Sequence, residues 1–161
     1  MTLYFLRHGD AVENSSLQDR DRPLSELGRQ QAAMAGRYLR NLQPTVDLIL
    51  CSPLLRTRQT AETVQTEVGN VSVFTAESLV SSANPLELLK DLGTRSTEVI
   101  LLVGHEPHLS KTISLLISGT EQAHIEMRKG TLACAIVEKP IERGHGKLQW
   151  LTSSDQMALV S

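Results

Sequence analysis

Aromatic side chains are scarce: two Phe, two Tyr and one Trp make up 3% of the chain. So few rings give little from which to build a stacking platform for single-stranded nucleic acid. A formal net charge of −2 removes the electrostatic case for a general nucleic-acid binder. Cysteine is nearly as rare. Cys51 and Cys134 lie in apolar runs without metal-ligand spacing, a pattern that suits a reducing compartment, and the sequence leaves open whether they pair. Long apolar runs are missing too. Residues 99–103 form the longest strongly apolar stretch, far below the ~20 residues that cross a bilayer. Residues 1–6 are too short for a signal-peptide core and are cut off by Arg7. The expectation is a soluble, cytoplasmic protein with neither membrane nor nucleic acid as partner.

What is present is enough for a real core. The 161 residues, 40% of them hydrophobic, predict a single domain spanning 1–161. A chain of this size buries roughly 70% of its unfolded surface without staples. Residues 2–7 read as a strand covered on both faces, ending in His8-Gly9-Asp10. Residues 11–23 are a polar loop holding the charge run Asp19-Arg20-Asp21-Arg22, which is expected to be solvated, with reach to a partner protein as the alternative for Arg20 and Arg22. A helix follows, N-capped by Ser25, with Leu24, Leu27, Ala35, Leu39 and Leu42 as its apolar stripe and Pro44 as its end. Gly28 costs that helix stability, which points to a close-packing reason for it.

The pattern then repeats. Residues 46–51 are a buried-type strand, and Ser52-Pro53 opens a helix with Ser as N-cap, stopped at Gly69-Asn70. Strands are predicted at 71–75 and 98–104, and helices from Pro85 to Leu92 and from Pro107 to Ile117. The tail carries two more strands, 130–138 and 147–152, around a glycine-rich turn. Alternating strands and helices predict an α/β fold, a three-layer α/β/α sandwich around a mostly parallel central sheet. Ligands in such folds bind where strands end and helices begin.

Three strand ends carry unusual polar residues: Arg7-His8-Gly9, then Ser52-Pro53 with Arg56 and Arg58 in the next turn, then Gly104-His105-Glu106. If these ends are neighbours, arginines and histidines converge on one pocket suited to a dianion. Guanidinium groups match phosphate oxygens bidentately, and a neutral imidazole nitrogen can attack phosphorus. The remaining cations would stabilise charge on the transferring phosphoryl group, one histidine being neutral while the other is held protonated beside the phosphate. With that much fixed positive charge, no metal and no other cofactor are expected.

The same residues resemble a known family. Leu6-Arg7-His8-Gly9 matches the first signature of the histidine phosphatase superfamily, the phosphoglycerate-mutase-like enzymes. The run from Ser52 to Thr60 resembles its second signature and Val103-Gly104-His105 its third. The segments Arg7-His8-Gly9-Asp10-Ala11 and Arg22-Pro23-Leu24-Ser25 with Gly28 are similar to the SixA-type phosphohistidine phosphatases in particular. The resemblance implies that His8 is the nucleophile and that Arg7, Arg56 and His105 clamp the phosphoryl group. It offers two carboxylates as proton donor, Glu106 ahead of Glu77, while SixA-type members are thought to manage without a strong acid. It also implies the substrate: phosphohistidine on a phosphotransfer-type signalling protein, with a small phosphomonoester on the same site, or a non-catalytic phosphopeptide-binding module, as the alternatives. The protein is expected to be a monomer.

Bland readings compete at several positions. Glu106-Pro107 also fits plain helix-start chemistry. Arg58 lies on a different helical face from Arg56, and its contact with phosphate stays open. His108, three residues after His105, has no third metal-ligand partner and is expected at the surface or the pocket rim. His124 and His145 are expected to be exposed, and Cys51 buried.

Overall fold

The computed structural model describes residues 1–160. Six strands form one sheet in the order β3-β2-β4-β1-β5-β6. They are β1 (Thr2–Arg7), β2 (Leu48–Cys51), β3 (Ser72–Thr75), β4 (Val99–Gly104), β5 (Leu132–Ile136) and β6 (Lys147–Thr152). The strands β3, β2, β4 and β1 run parallel, and β5 and β6 continue the sheet antiparallel. The helices are α1 (Glu26–Arg40), α2 (Leu55–Val68), α3 (Pro85–Gly93), α4 (His108–Ser118) and α5 (Ser154–Ala158). The expected three-layer α/β/α sandwich with a mostly parallel sheet is therefore present.

Side-chain alternation explains why the central strands are continuously apolar. In β1, Leu3 and Phe5 face one way and Tyr4 and Leu6 the other, and all four are buried. On the first face they join Ile100 and Leu102 of β4 with Leu88 and Leu92 of α3 and Leu109 and Ile113 of α4. On the second they join Ile49, Leu101 and Val103 with Ala35 and Leu39 of α1, Ala61 and Val64 of α2 and Met157 of α5. Each such aliphatic side chain contributes about 1.5–3 kcal/mol on burial.

Local expectations were met unevenly. Ser25 caps α1 through its hydroxyl, which accepts the Gly28 N–H at 3.1 Å. The buried stripe of α1 is Gly28, Ala32, Ala35, Gly36 and Leu39. Leu27, read as part of that stripe, is 55% exposed, because it sits off the face that meets α2. Ser52 does not cap α2, whose first residue is Leu55. β2 begins at Leu48 rather than at residue 46, and α5 follows β6 where no helix was read.

β4 lies between β1 and β2, so the carboxyl ends of all three are adjacent. Arg7 is in register with Gly104, and Cys51 with Val103. The ladder extends one residue past each strand end: the His8 N–H donates to Gly104 O at 3.1 Å and the Ser52 N–H to Val103 O at 3.0 Å.

Candidate active site

These three adjoining strand ends bring Arg7, His8, Arg56 and His105 into one cavity of about 320 Å³, whose lining also includes Glu13, Arg22, Ser81, Glu106 and Lys129. The His8 and His105 rings meet edge to face, with centroids 5.1 Å apart. Both rings are buried.

The tautomer of His8 follows from its neighbours. Its Nδ1 lies 2.7 Å from Gly9 O, and a carbonyl only accepts, so Nδ1 carries the proton. Nε2 is then the lone-pair nitrogen, and it accepts the Arg56 Nε–H at 3.3 Å. Burial, with Arg56, Arg7 and Lys129 close by, outweighs the Gly9 hydrogen bond and pushes the His8 pKa down to about 4. The backbone beneath the ring is fixed from α2: the Gly9 N–H donates to Thr60 Oγ1 at 3.2 Å, and that hydroxyl donates to Arg56 O at 2.7 Å. It is fixed from α1 by contact, since a Cβ on Gly28 would lie 1.9 Å from Asp10 O and one on Gly9 2.3 Å from Gly28 O. That is the close-packing reason for Gly28.

His105 Nε2 lies 2.9 Å from Ser52 Oγ, so Ser52 orients the second histidine rather than capping a helix. Burial first, then His8 and Arg56, lower the His105 pKa to about 3. The histidine expected to be protonated is therefore neutral by itself, and a bound dianion would be what favours its charged form.

Arg56 is buried, and its terminal nitrogens are held by the charge run read as solvated. Nη1 donates to Asp19 O at 2.7 Å and Nη2 to the Asp19 carboxylate at 3.1 Å. Burial works against the Asp19 carboxylate, but Arg56 and Arg22 hold its pKa below the usual range. Arg7 donates from Nη1 to Met127 O at 2.8 Å. Lys129 meets Asp10 at 2.6 Å, and Lys129 followed by Ser25 keep the Asp10 pKa low. Sequence reasoning missed Asp10, Asp19 and Lys129. The first two stood in segments already singled out; Lys129 arrives only because β5 pairs with β1.

Other expected residues fall as follows. Glu106 lines the cavity, yet its carboxylate accepts the Ser110 N–H at 3.0 Å, the helix-start chemistry of its bland reading. Glu77 lines a separate cavity with Arg20, Pro53, Leu54 and Val80. Arg58 lines another, with Cys51 and Glu62. His108 is buried, not on the rim, because α4 turns it into the core. Cys51 and Cys134 are both free and buried. His124 is exposed, and it belongs to a larger groove of about 440 Å³ that shares Arg7 and Glu106 with the catalytic-type cavity and continues along residues 125–128.

Known proteins match this picture. The family model "Histidine phosphatase superfamily (branch 1)" matches residues 3–81, which include Arg7, His8 and Arg56 but stop short of His105. An uncharacterized protein of Mycobacterium tuberculosis is 36% identical over 125 residues, 75% of this chain and 77% of its own length. Phosphohistidine phosphatase SixA of Escherichia coli is 25% identical over 161 residues, 95% of this chain and 94% of that protein. The solved structure of the protein histidine phosphatase SixA complexed with tungstate shares the fold, with a TM-score of 0.86 at 21% identity over 96% of this chain and 98% of that one. The chain belongs to the histidine phosphatase superfamily.

Proposed function

We propose that this protein is a phosphatase that works through a covalent phosphohistidine on His8 and removes phosphate from phosphohistidine on a phosphotransfer-type protein. One observation carries the reading: Nδ1 of His8 is tied to Gly9 O, which leaves the Nε2 lone pair at the floor of a cavity ringed by Arg7, Arg22, Arg56 and Lys129. In the first step Nε2 bonds to phosphorus as the phosphorus–nitrogen bond of the substrate breaks. The pair of electrons stays on the departing imidazole, which takes a proton from water. In the second step water attacks phosphorus, its proton leaves, and His8 is regained with inorganic phosphate as product. Arg7, Arg56 and His105 stabilise the phosphoryl oxygens throughout. Since all the cations are side chains, the reading includes no metal.

Two features support the substrate class. A phosphohistidine donor exchanges one phosphorus–nitrogen bond for another, so the first step needs no strong acid. Glu106, the nearest expected donor, already holds the start of α4. The groove beyond Arg7 and Glu106 also gives the rest of a protein substrate somewhere to lie.

The test has two arms, both run in EDTA. Trapping labelled enzyme should place phosphate on His8, and His8→Ala should neither trap label nor hydrolyse an aryl phosphate. A phosphorylated phosphotransfer domain should be turned over with higher kcat/KM than any of a panel of sugar phosphates. Equal aryl phosphate hydrolysis by His8→Ala sinks the mechanism; preference for a sugar phosphate sinks the substrate class alone.

A further inference from the structure

We propose that Lys129 is a further phosphoryl-binding residue, its ammonium taking an oxygen of the transferring group beside Arg7, Arg56 and His105. This rests on the phosphatase reading above. Lys129 lies outside the three strand-end motifs, in the segment between α4 and β5, yet it lines the same cavity as His8.

Its placement is fixed from both sides. The next residue, Gly130, directs its N–H at Arg7 O and His8 O, 3.2 and 3.3 Å away, and the Arg7 N–H donates to Thr131 O at 3.1 Å. Gly130 has φ +72° and a Cβ there would meet the Gln31 side chain at 3.0 Å, while Gln31 itself accepts the Asp10 N–H at 2.8 Å. Asp10 in turn takes the Ser25 hydroxyl on Oδ2 at 2.7 Å and offers Oδ1 to Lys129 at 2.6 Å. A carboxylate anchored at the start of α1 thus holds the ammonium beside the nucleophile.

Two of the neighbouring cations have more of their donors committed, while Arg7 spends one on Met127 O. Arg56 spends three nitrogens on His8 and Asp19, and Arg22 spends two on Val12 O and Asp19. Lys129 has, among the described residues, Asp10 as its one hydrogen-bonding partner. Its side chain is 36% exposed, and an ammonium carries three donors on a flexible stem. It can keep Asp10 and still bond a phosphoryl oxygen. Its charge also reaches His8, where it works with the arginines against protonation.

The experiment measures tungstate binding by calorimetry and the pH profile of aryl phosphate hydrolysis for wild type, Lys129→Met, Lys129→Arg and Asp10→Asn. Lys129→Met should weaken tungstate ~10-fold or more, the loss of one charge-assisted hydrogen bond, and should move the acid limb of kcat/KM to higher pH. Lys129→Arg should recover part of both. Asp10→Asn, which frees the ammonium and keeps its charge, should bind tungstate at least as tightly as wild type. If Lys129→Met binds tungstate like the wild type, or if Asp10→Asn weakens binding in step with it, the pair is only a structural tie and the proposal falls, with the phosphatase reading intact. If the wild type neither binds tungstate nor hydrolyses aryl phosphate, both fall together.

Discussion

Arg56 points its Nε–H at His8 Nε2 across 3.3 Å while gripping Asp19 with both terminal nitrogens, at 2.7 and 3.1 Å. One buried guanidinium therefore ties His8, the proposed nucleophile, to the loop that holds Asp19. Burial first, with this charge beside it, keeps the imidazole neutral, and in the proposed reaction the same Nε–H sits where phosphorus approaches. In that reaction substrate exchanges a phosphoryl oxygen for that hydrogen bond, which would convert a ground-state contact into one made in the transition state.

Arg56→Ala should thus lower kcat by roughly 10²-fold or more, as for other lost transition-state donors. Arg56→Lys should not restore it, because a single ammonium cannot span His8, Asp19 and the phosphoryl group with planar, fixed donors. Steady-state kinetics on an aryl phosphate checks this. A Lys variant with wild-type kcat would mean that charge alone is needed at this position.

The pH profile should be displaced to the acid side. In the proposed mechanism the reactive form of His8 is neutral, and its pKa of about 4 means that it stays unprotonated well below the ordinary histidine value of 6.5. Because kcat/KM reports groups of the free enzyme, its acid limb should fall near pH 4 rather than near 6.5. A limb centred at the ordinary value would show that burial and the surrounding cations do not govern this imidazole.

The parts of this site that the sequence disclosed are those written in contiguous residues. Arg7-His8-Gly9 and Gly104-His105 follow runs of residues apolar on both faces, and such runs mark central parallel strands before any pairing is known. Arg56 follows β2 in the same way. The hidden parts depend on contacts between distant segments. Lys129 reaches His8 through the antiparallel pairing of β5 with β1, and no local pattern near residue 129 encodes that pairing. Asp19 is 65% exposed, the solvated charge its run suggested, but its second role, the grip on Arg56, was hidden because that partner lies 37 residues on. Ser52-Pro53 had the residue types of a helix cap, but the serine hydroxyl is taken up by His105 across the sheet.

Gly28→Ala tests how tightly the site is built. The new methyl group would stand 1.9 Å from Asp10 O, a backbone atom that cannot swing aside. Overpacking of this kind costs typically 1–3 kcal/mol, occasionally more, although alanine is the better helix former. The variant should therefore melt lower than wild type and lose activity out of proportion to the melting shift, since the Gly9–Asp10 backbone supports His8 and Lys129. A variant more stable than wild type would show that α1 and this loop can separate freely.

His108→Leu should do the opposite to stability. The ring is 1% exposed and, among the described residues, neither nitrogen has a hydrogen-bond partner. A buried unsatisfied polar group costs roughly 1–3 kcal/mol, and leucine would fill similar space without that penalty. Each kcal/mol recovered raises the Tm of a chain of this length by about 2–4 °C. Acid should widen the gap. Burial first, with Lys111 assisting against Glu121, lowers the His108 pKa from 6.5 to about 4, so between those values the unfolded chain binds a proton that the folded protein refuses. Stability from this group is complete above pH 6.5 and declines as pH falls toward 4. The leucine variant loses that share of the decline and keeps the shares of His8 and His105, whose pKa values are lowered in the same direction. Melting curves at neutral pH and near pH 5 separate the two effects, and a Tm below wild type at both would mean that the His108 nitrogens are satisfied after all.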